Sequence, residues 1–468
     1  MSKAKCAAFL ALLFALVPTL ARADAADEII RSWMAERQIP GVALIVLKNG
    51  KVLKGENYGY SDLARKTPVT DATVFEIASM TKQFTAAAVL LLVEYGKLGL
   101  DDPVSKYLPD VPPTWRNISV RQLLDHTSGL YDDWNENNEY FQSRNSDQEF
   151  FDALKSSKLK FAPGERYAYS CGPFLAGMIV SKVAGVPYAE FMRKRIFEPL
   201  RMSSTFVNGH GPAKIDAAVG YIMRDGKIQE GVKLSPPAHG RGDVGISTTA
   251  SDLTIWLSAL SSTRLLTKKS LNEMFKFAKL NDGSTVPSGL GWWLNPIRGE
   301  PIRHHGGAFR TGFNSTINWY PKSGIAVIIL ANRFRSAAND IGHMVAGVYD
   351  PAYIPVSRRK PTDDREPDRA KRLYDMLSVL SRGGEDVPSA SKRFPYRYYE
   401  KEDLKDLLEG SERMYFRGCD DISRRHNKVF GEKVKEVCFF ELNGKDRRPV
   451  SFLLDARGKV LYVEPFEY

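Results

Sequence analysis

Short apolar runs separated by turn signals mark both ends of the first 350 or so residues, whereas helical spacing fills the middle. Runs at 42–47 and 51–55 flank Asn49-Gly50, a dipeptide that favours a two-residue hairpin because both residues tolerate positive φ. A second pair, 314–319 and 325–330, flanks Tyr320-Pro321-Lys322-Ser323-Gly324. Between them, 81–95, 120–125, 174–184 and 250–260 carry apolar residues at helical spacing. Strands at both ends around a helical middle predict one sheet assembled from both ends of the domain. The expected fold class is α/β: a sandwich with an inserted helical subdomain.

The pattern changes after residue 354. The stretch 355–369 (PVSRRKPTDDREPDR) is charged and proline-rich, as linkers are. The chain beyond it balances acids against bases and still carries apolar runs at 437–440 and 450–454, near the turn signals Asn443-Gly444 and Arg457-Gly458. This predicts a small α+β domain over 370–468 with a terminal antiparallel sheet. At the other end, Lys3 and Lys5 precede an apolar run over 7–17, and Ala21-Arg22-Ala23 supplies a small-x-small cleavage pattern. Residues 1–23 are expected to be a signal peptide, 24–354 the main domain, and the protein to be exported, either periplasmic or secreted.

Composition narrows the function. With 468 residues, 43% hydrophobic and 26% charged, the chain has the make-up of a folded protein of about two domains. A formal charge of +11 without a Lys/Arg stripe interleaved with aromatics gives no support for a nucleic-acid partner. No apolar stretch after residue 23 is long enough to span a bilayer, so no membrane span is expected in the mature chain. After loss of Cys6, the remaining cysteines are Cys171, Cys419 and Cys438; an export route would permit the two C-terminal ones to pair. The seven histidines show no His-x-x-x-His pair and there is no Cys-x-x-Cys, so neither a metal nor another cofactor is expected.

Candidate chemistry begins with Ser-x-x-Lys, which occurs at Ser2, Ser79, Ser157, Ser357 and Ser389. Only Ser79 stands where an apolar segment, Val74-Phe75-Glu76-Ile77-Ala78, runs into a strong helix. That places the hydroxyl at a helix N-terminus, where free N–H groups favour developing negative charge, and puts Lys82 on the same helical face. A serine becomes a useful nucleophile when a neighbouring group takes its proton. A plain N-cap beside a solvated lysine would leave the same letters.

The surrounding blocks are more specific. Phe75-Glu76-Ile77-Ala78-Ser79-Met80-Thr81-Lys82, Gly96-Lys97-Leu98-Gly99-Leu100-Asp101-Asp102-Pro103, Leu123-Leu124-Asp125-His126-Thr127-Ser128-Gly129-Leu130 and Phe161-Ala162-Pro163-Gly164-Glu165-Arg166-Tyr167-Ala168-Tyr169-Ser170 follow in order. Together they resemble the class C β-lactamase and penicillin-binding serine hydrolase family, which includes D-amino-acid peptidases and carboxylesterases. The resemblance covers most of 27–350 and none of the C-terminal domain. It implies a β-lactamase/transpeptidase-like sandwich, with Ser79 as the acylated nucleophile and Lys82 as the amine beside it.

The family's second element is Tyr-x-Asn, its tyrosine acting as general base. Here Tyr169-Ser170 match and Cys171 replaces the asparagine, so Cys171 becomes the substrate-binding candidate. A tyrosine reaches that role near neutral pH only if a cation lowers its pKa from about 10, and Lys82 is the expected cation. Ser143-Arg144-Asn145 is a second candidate for this element, in a polar stretch. For the third element, Lys322-Ser323-Gly324 has the right letters but sits in a turn. His305-Gly306-Gly307 leads into the terminal hairpin and fits the family's His-x-Gly form, with His304-His305-Gly306 as a one-residue alternative. Gly306 and Gly307 are expected to let the strand approach substrate, and the N–H groups of Ser79 and Ala308 to form the oxyanion hole. His126 is expected to be a packing or capping residue.

The resemblance thus implies an exported serine hydrolase forming an acyl-enzyme on an amide or ester of a small molecule or short peptide. A catalytically silent peptide- or peptidoglycan-binding protein with the same fold is the alternative. Retention of Ser79, Lys82 and Tyr169 together favours the enzyme. The role of the C-terminal domain and any partner contacts it makes are open at this point.

Overall fold

The computed structural model describes residues 24–130, 146–233, 241–297, 300–353 and, with short gaps, 364–464. The expected signal segment 1–23 and the Ser143-Arg144-Asn145 candidate lie outside the described residues. Helix α1 (Ala25–Arg37) starts from Asp24, whose side chain accepts from the N–H groups of Ala26 and Asp27 while Asp27 caps Asp24 in return. It leads into the hairpin of β1 (Gly41–Lys48) and β2 (Lys51–Asp62). Asn49 and Gly50 both have positive φ (51° and 76°), as a tight primed turn requires.

Further strands are β3 (Thr67–Pro68), β4 (Ser288–Gly289), β5 (Trp292–Trp293), β6 (Arg303–Phe309), β7 (Phe313–Tyr320) and β8 (Ile325–Ala331). The eight-stranded sheet has the order β4-β5-β6-β7-β8-β1-β2-β3, so β8 from the end of the domain pairs with β1 from its beginning. The two-residue period of the strands divides their side chains between two cores. Val42, Leu44 and Val46 join Val327, Ile329 and Ala331 against α1 and α7 (Ala338–Tyr349). Ala43 and Leu47, with Ala326, Ile328 and Leu330, face the helical subdomain. Burial on both faces explains why β8 is an unbroken apolar run.

The subdomain is centred on α2 (Thr81–Glu94), buried from Thr81 to Leu92, with the Phe84 ring stacked 4.1 Å from Trp256. Around it lie α3 (Val120–Leu124), α4 (Asp147–Leu154), α5 (Gly172–Ala184) and α6 (Ala250–Leu260). A helix apolar on nearly every side belongs inside a core. Among the described residues, no single helix is long and apolar enough to cross a membrane.

The C-terminal unit has a separate apolar core. Helices α8 (Arg369–Ser381) and α9 (Lys401–Leu408) accompany a four-stranded antiparallel meander, β9 (Met414–Asp421), β10 (Glu436–Leu442), β11 (Arg448–Leu454) and β12 (Val460–Glu464). Cys419 and Cys438 face each other across β9 and β10 and are joined as a disulfide. The Arg369 guanidinium donates to both sulfurs, at 2.7 and 3.1 Å. This unit meets the larger domain through Asn295, whose side-chain amide nitrogen lies 2.6 Å from the hydroxyls of both Tyr398 and Tyr462. Phe430 also approaches Phe277, with ring centroids 5.4 Å apart.

Candidate active site

The segment before Ser79 is fixed as a strand. Phe75–Glu76 pairs with Ile246–Thr248, and the Ile77 N–H bonds to the Ile246 carbonyl. Ala78 then takes φ of 45°, a left-handed conformation that costs an alanine roughly 1 kcal/mol or more. The chain turns sharply there, runs through one 3₁₀ turn (Ala78–Met80) and enters α2. Ser79 stays half-exposed at the tip. Lys82, one helical turn on, is 1% exposed; its Nζ donates to Ser79 Oγ and to the Asp243 carbonyl, each at 3.0 Å.

Tyr169 brings the second element to this pair, its ring centre 5.0 Å from Lys82 Nζ. The backbone on either side of Tyr169 is held by His126: Ala168 N–H donates to its carbonyl at 3.0 Å and Ser170 N–H to its Nδ1 at 3.2 Å. Burial, then the Lys82 charge, lowers the His126 pKa to about 3, so the ring is neutral and, with Nδ1 accepting, carries its proton on Nε2. The packing role expected of His126 is therefore specific: it lies 4.6 Å from the Tyr169 ring. Asp125 supports this loop by accepting from the Thr127 hydroxyl at 2.7 Å, and burial raises its pKa to about 7. Cys171 is the residue that precedes α5 at its N-terminus, its thiol outside any disulfide and buried in the main core.

The third element resolves between its two histidines because adjacent strand residues face opposite ways. The His305 ring stacks 4.2 Å from Trp293, nearly parallel, and lies 6.2 Å from Tyr169. His304 faces α7, within reach of Asn339 (3.3 Å) and Asn295 (3.1 Å). Burial, then Lys82, pushes the His305 pKa well below its ordinary value. Its Nδ1 is 2.6 Å from the Gly306 carbonyl, so that nitrogen carries the proton and Nε2 is left as an acceptor. Among the described residues that Nε2 is buried without a hydrogen-bond partner. Lys322, the competing candidate, pairs with Glu300 at 3.0 Å beside the β7–β8 turn, which is where the sequence places it.

A Cβ on Gly307 would lie 2.0 Å from the Ile77 carbonyl oxygen, so a glycine here lets β6 approach the turn bearing Ser79. Ser315 Oγ donates to the same carbonyl at 2.9 Å. Gly306 meets only ordinary contact with Ser315. Ala308 follows on β6, exposed beside the serine turn.

Sequence reasoning missed two contributors. Trp293 carries the face against which His305 lies. Asp243 supplies the carbonyl that holds Lys82, while its carboxylate faces Arg241 at 3.6 Å, both side chains buried. The signal for the second was charged residues alternating with glycines at 241–243, where Gly242 packs against Gly177. As for metals, the cluster of donor type found among the described residues is Cys419, Glu436 and Cys438, and its sulfurs are already bonded to each other.

The family model described as Beta-lactamase matches residues 26–346. Penicillin-binding protein 4* of Bacillus subtilis is 30% identical over 313 residues, 62% of this chain and 67% of that protein. Protein flp of Staphylococcus aureus (strain MW2) is 30% identical over 329 residues, and this chain spans 62% of its length. Among solved structures, D-amino acid amidase from Ochrobactrum anthropi SV3 superposes with a TM-score of 0.58 at 30% identity, covering 70% of this chain and 96% of that one. The octameric penicillin-binding protein homologue from Pyrococcus abyssi has a TM-score of 0.61 at 22% identity over 92% of this chain and 93% of that one, a likeness of fold that takes in the C-terminal unit. The chain belongs to the β-lactamase family and is a serine hydrolase of that family, with an added C-terminal sheet domain.

Proposed function

We propose that this protein is an exported hydrolase that cleaves an amide or ester of a small molecule or short peptide through an acyl-enzyme on Ser79. The observation that carries this reading is the 3.0 Å contact between Lys82 Nζ and Ser79 Oγ at a strained turn, with the Tyr169 ring against the same amine. Ser79 Oγ attacks the carbonyl carbon as its proton passes to the Lys82–Tyr169 pair. The oxyanion forms toward the N–H groups of Ser79 and Ala308, where fixed donors contribute most to lowering the barrier. The amine or alcohol then leaves with that proton, and water attacks the acyl-enzyme by the reverse route. His305, neutral and enclosed, backs the Trp293 and Tyr169 rings in this site.

Two features favour simple amides or esters over penicillins. Cys171 has no amide to offer an acylamino substituent, and a thiol is a weak donor. The relatives include a D-amino acid amidase, whose name describes cleavage of an amide. Export agrees with the Cys419–Cys438 disulfide, which persists in oxidising compartments.

Incubating the protein with a fluorescent fluorophosphonate and, separately, a fluorescent penicillin tests the reading. The fluorophosphonate is expected to label one peptide, containing Ser79, faster than penicillin does, and Ser79→Ala to remove labelling while the fold melts as before. Undiminished labelling of Ser79→Ala would exclude Ser79 as nucleophile. Processed protein recovered from cells is expected to begin at Asp24; retention of residues 1–23 would refute export by cleavage.

A further inference from the structure

A run of aromatic side chains leads from the C-terminal unit to Tyr169 and His305. Tyr398, between α8 and α9, places its ring 4.9 Å from Tyr167. The Tyr167 hydroxyl accepts from Trp293 Nε1 at 2.9 Å. Trp293 in turn stacks on His305 and lies 5.7 Å from Tyr169. Behind these rings, Tyr167, Ala278, Leu280 and Val286 form a small apolar cluster against which Tyr169 and Tyr398 pack.

Three properties make this more than a packed domain boundary. Tyr169, Trp293 and Tyr398 are each only partly buried. Trp293 carries no ionisable group and burial holds His305 neutral, so neither puts a charge on this wall. Tyr398 is also fixed in place, because Asn295 ties its hydroxyl and that of Tyr462 on β12 to the segment leading into β6. A preset, uncharged aromatic surface binds flat or apolar groups and offers nothing to a carboxylate.

We infer that Tyr398, Tyr167 and Trp293 form a subsite for an uncharged aromatic or large apolar group of the substrate, so that the C-terminal unit supplies a specificity-determining residue to the cleft. The inference rests on the acyl-enzyme reading above and names the kind of substrate that site selects. It also gives the C-terminal unit a role in catalysis: truncation near residue 358 would leave Ser79, Lys82 and Tyr169 but remove one face of the subsite.

The test uses the full chain and four thioesters: S-methyl thioacetate, its phenylacetyl and succinyl counterparts, and S-phenyl thioacetate. These place a ring on the acyl side, a carboxylate on the acyl side, or a ring on the leaving side. Tyr398→Ala is expected to lower kcat/KM about tenfold for at least one ring-bearing ester, mostly through KM, and to leave S-methyl thioacetate within about twofold. Tyr398→Phe keeps the ring but loses the bond to Asn295, so it should fall less than Tyr398→Ala on the ring-bearing esters, and Tyr398→Leu, which lacks the ring, should fall between, guarding against misfolding of the alanine variant. Succinyl thioester should be the poorest acyl donor for the natural protein. Equal losses on all four esters would show a purely structural Tyr398, and unchanged ring-bearing esters would remove the subsite; either overturns the inference while fluorophosphonate labelling of Ser79 keeps the function intact. Absence of that labelling in the natural protein would overturn both.

Discussion

The two folded parts of this chain bury different things. The larger domain encloses Lys82, Asp125, His126, Arg241, Asp243, His304 and His305, nearly all within a few side chains of Ser79 or its supporting loops. Among the described residues of the C-terminal unit, the enclosed polar side chains are Arg369, Ser381 and Ser451, while its interior is Leu, Val, Phe and Met. Enclosing ionisable groups opposes folding unless each is hydrogen-bonded, paired or held neutral. A domain that gathers so many at one place is organised around chemistry, whereas one that gathers almost none is organised around packing. Among the described residues, the C-terminal unit reaches the larger domain through half-buried Tyr398, enclosed Tyr462 and Phe430.

Tyr169→Phe is expected to give the largest contrast. Removing the hydroxyl of the ring that faces Lys82 should lower kcat/KM by about 10²–10⁴, the usual worth of a positioned acid–base group, with little change in melting temperature. A loss below about threefold would move proton transfer to another group and weaken the case that the buried charges serve Tyr169.

Phe439→Ala should do the reverse. Phe439 is wholly enclosed in the C-terminal core, and its truncation should cost about 3–5 kcal/mol of that unit's stability. The variant should show an earlier, separate unfolding step by calorimetry, yet retain fluorophosphonate labelling of Ser79 within about tenfold. Complete loss of labelling would show that the two parts fold as one and that the contrast drawn above is false.

The smallest effect concerns pH. Burial raises the Glu76 pKa to about 7 even though the Thr311 hydroxyl donates to the carboxylate at 2.7 Å. A carboxyl raised in the folded state favours folding fully below its ordinary pKa near 4.5, and that contribution is lost as pH rises through 7. Glu76→Gln cannot titrate, so its stability relative to the natural protein should grow between pH 5 and 8, by up to about 3 kcal/mol. The histidines with lowered pKa act in the opposite direction below pH 6.5, but they are common to both proteins and cancel in the difference. A constant difference across this range would show that Glu76 is already ionised in the fold. In the C-terminal unit, Arg369 and Arg372 lower Glu366 and Asp375 raises Lys371, but both shifted groups are largely exposed, so that part should contribute little to the pH dependence.

How much could be read beforehand follows the same division. The hairpin at Asn49-Gly50, the helix 250–260 and the two strands meeting at 437–440 and 450–454 were legible because period and turn chemistry are local. The choice of Ser79 over four other Ser-x-x-Lys positions was legible from the strand-to-helix junction. His305 against His304 was not, since a strand's inward face depends on the register with β7, which no local spacing reveals. Trp293 and Asn295 were invisible for a related reason: Trp293 meets His305 across a strand pairing and Tyr167 from a distant segment, and Asn295 meets Tyr398 and Tyr462 from the C-terminal unit. Gly307 was legible as a required glycine, but the Ile77 carbonyl that also requires it was not.

That glycine bears on how relatives of this protein should be judged. The motif letter is set by the clearance between β6 and the carbonyl of Ile77, an obstacle that exists whether or not any substrate ever enters. A descendant that had lost Ser79 and every trace of hydrolysis would still face selection to keep a glycine at this position, because any side chain there would force the strand off the serine turn. Presence of the third motif's glycine therefore certifies a fold, and activity has to be inferred from the side chains around it.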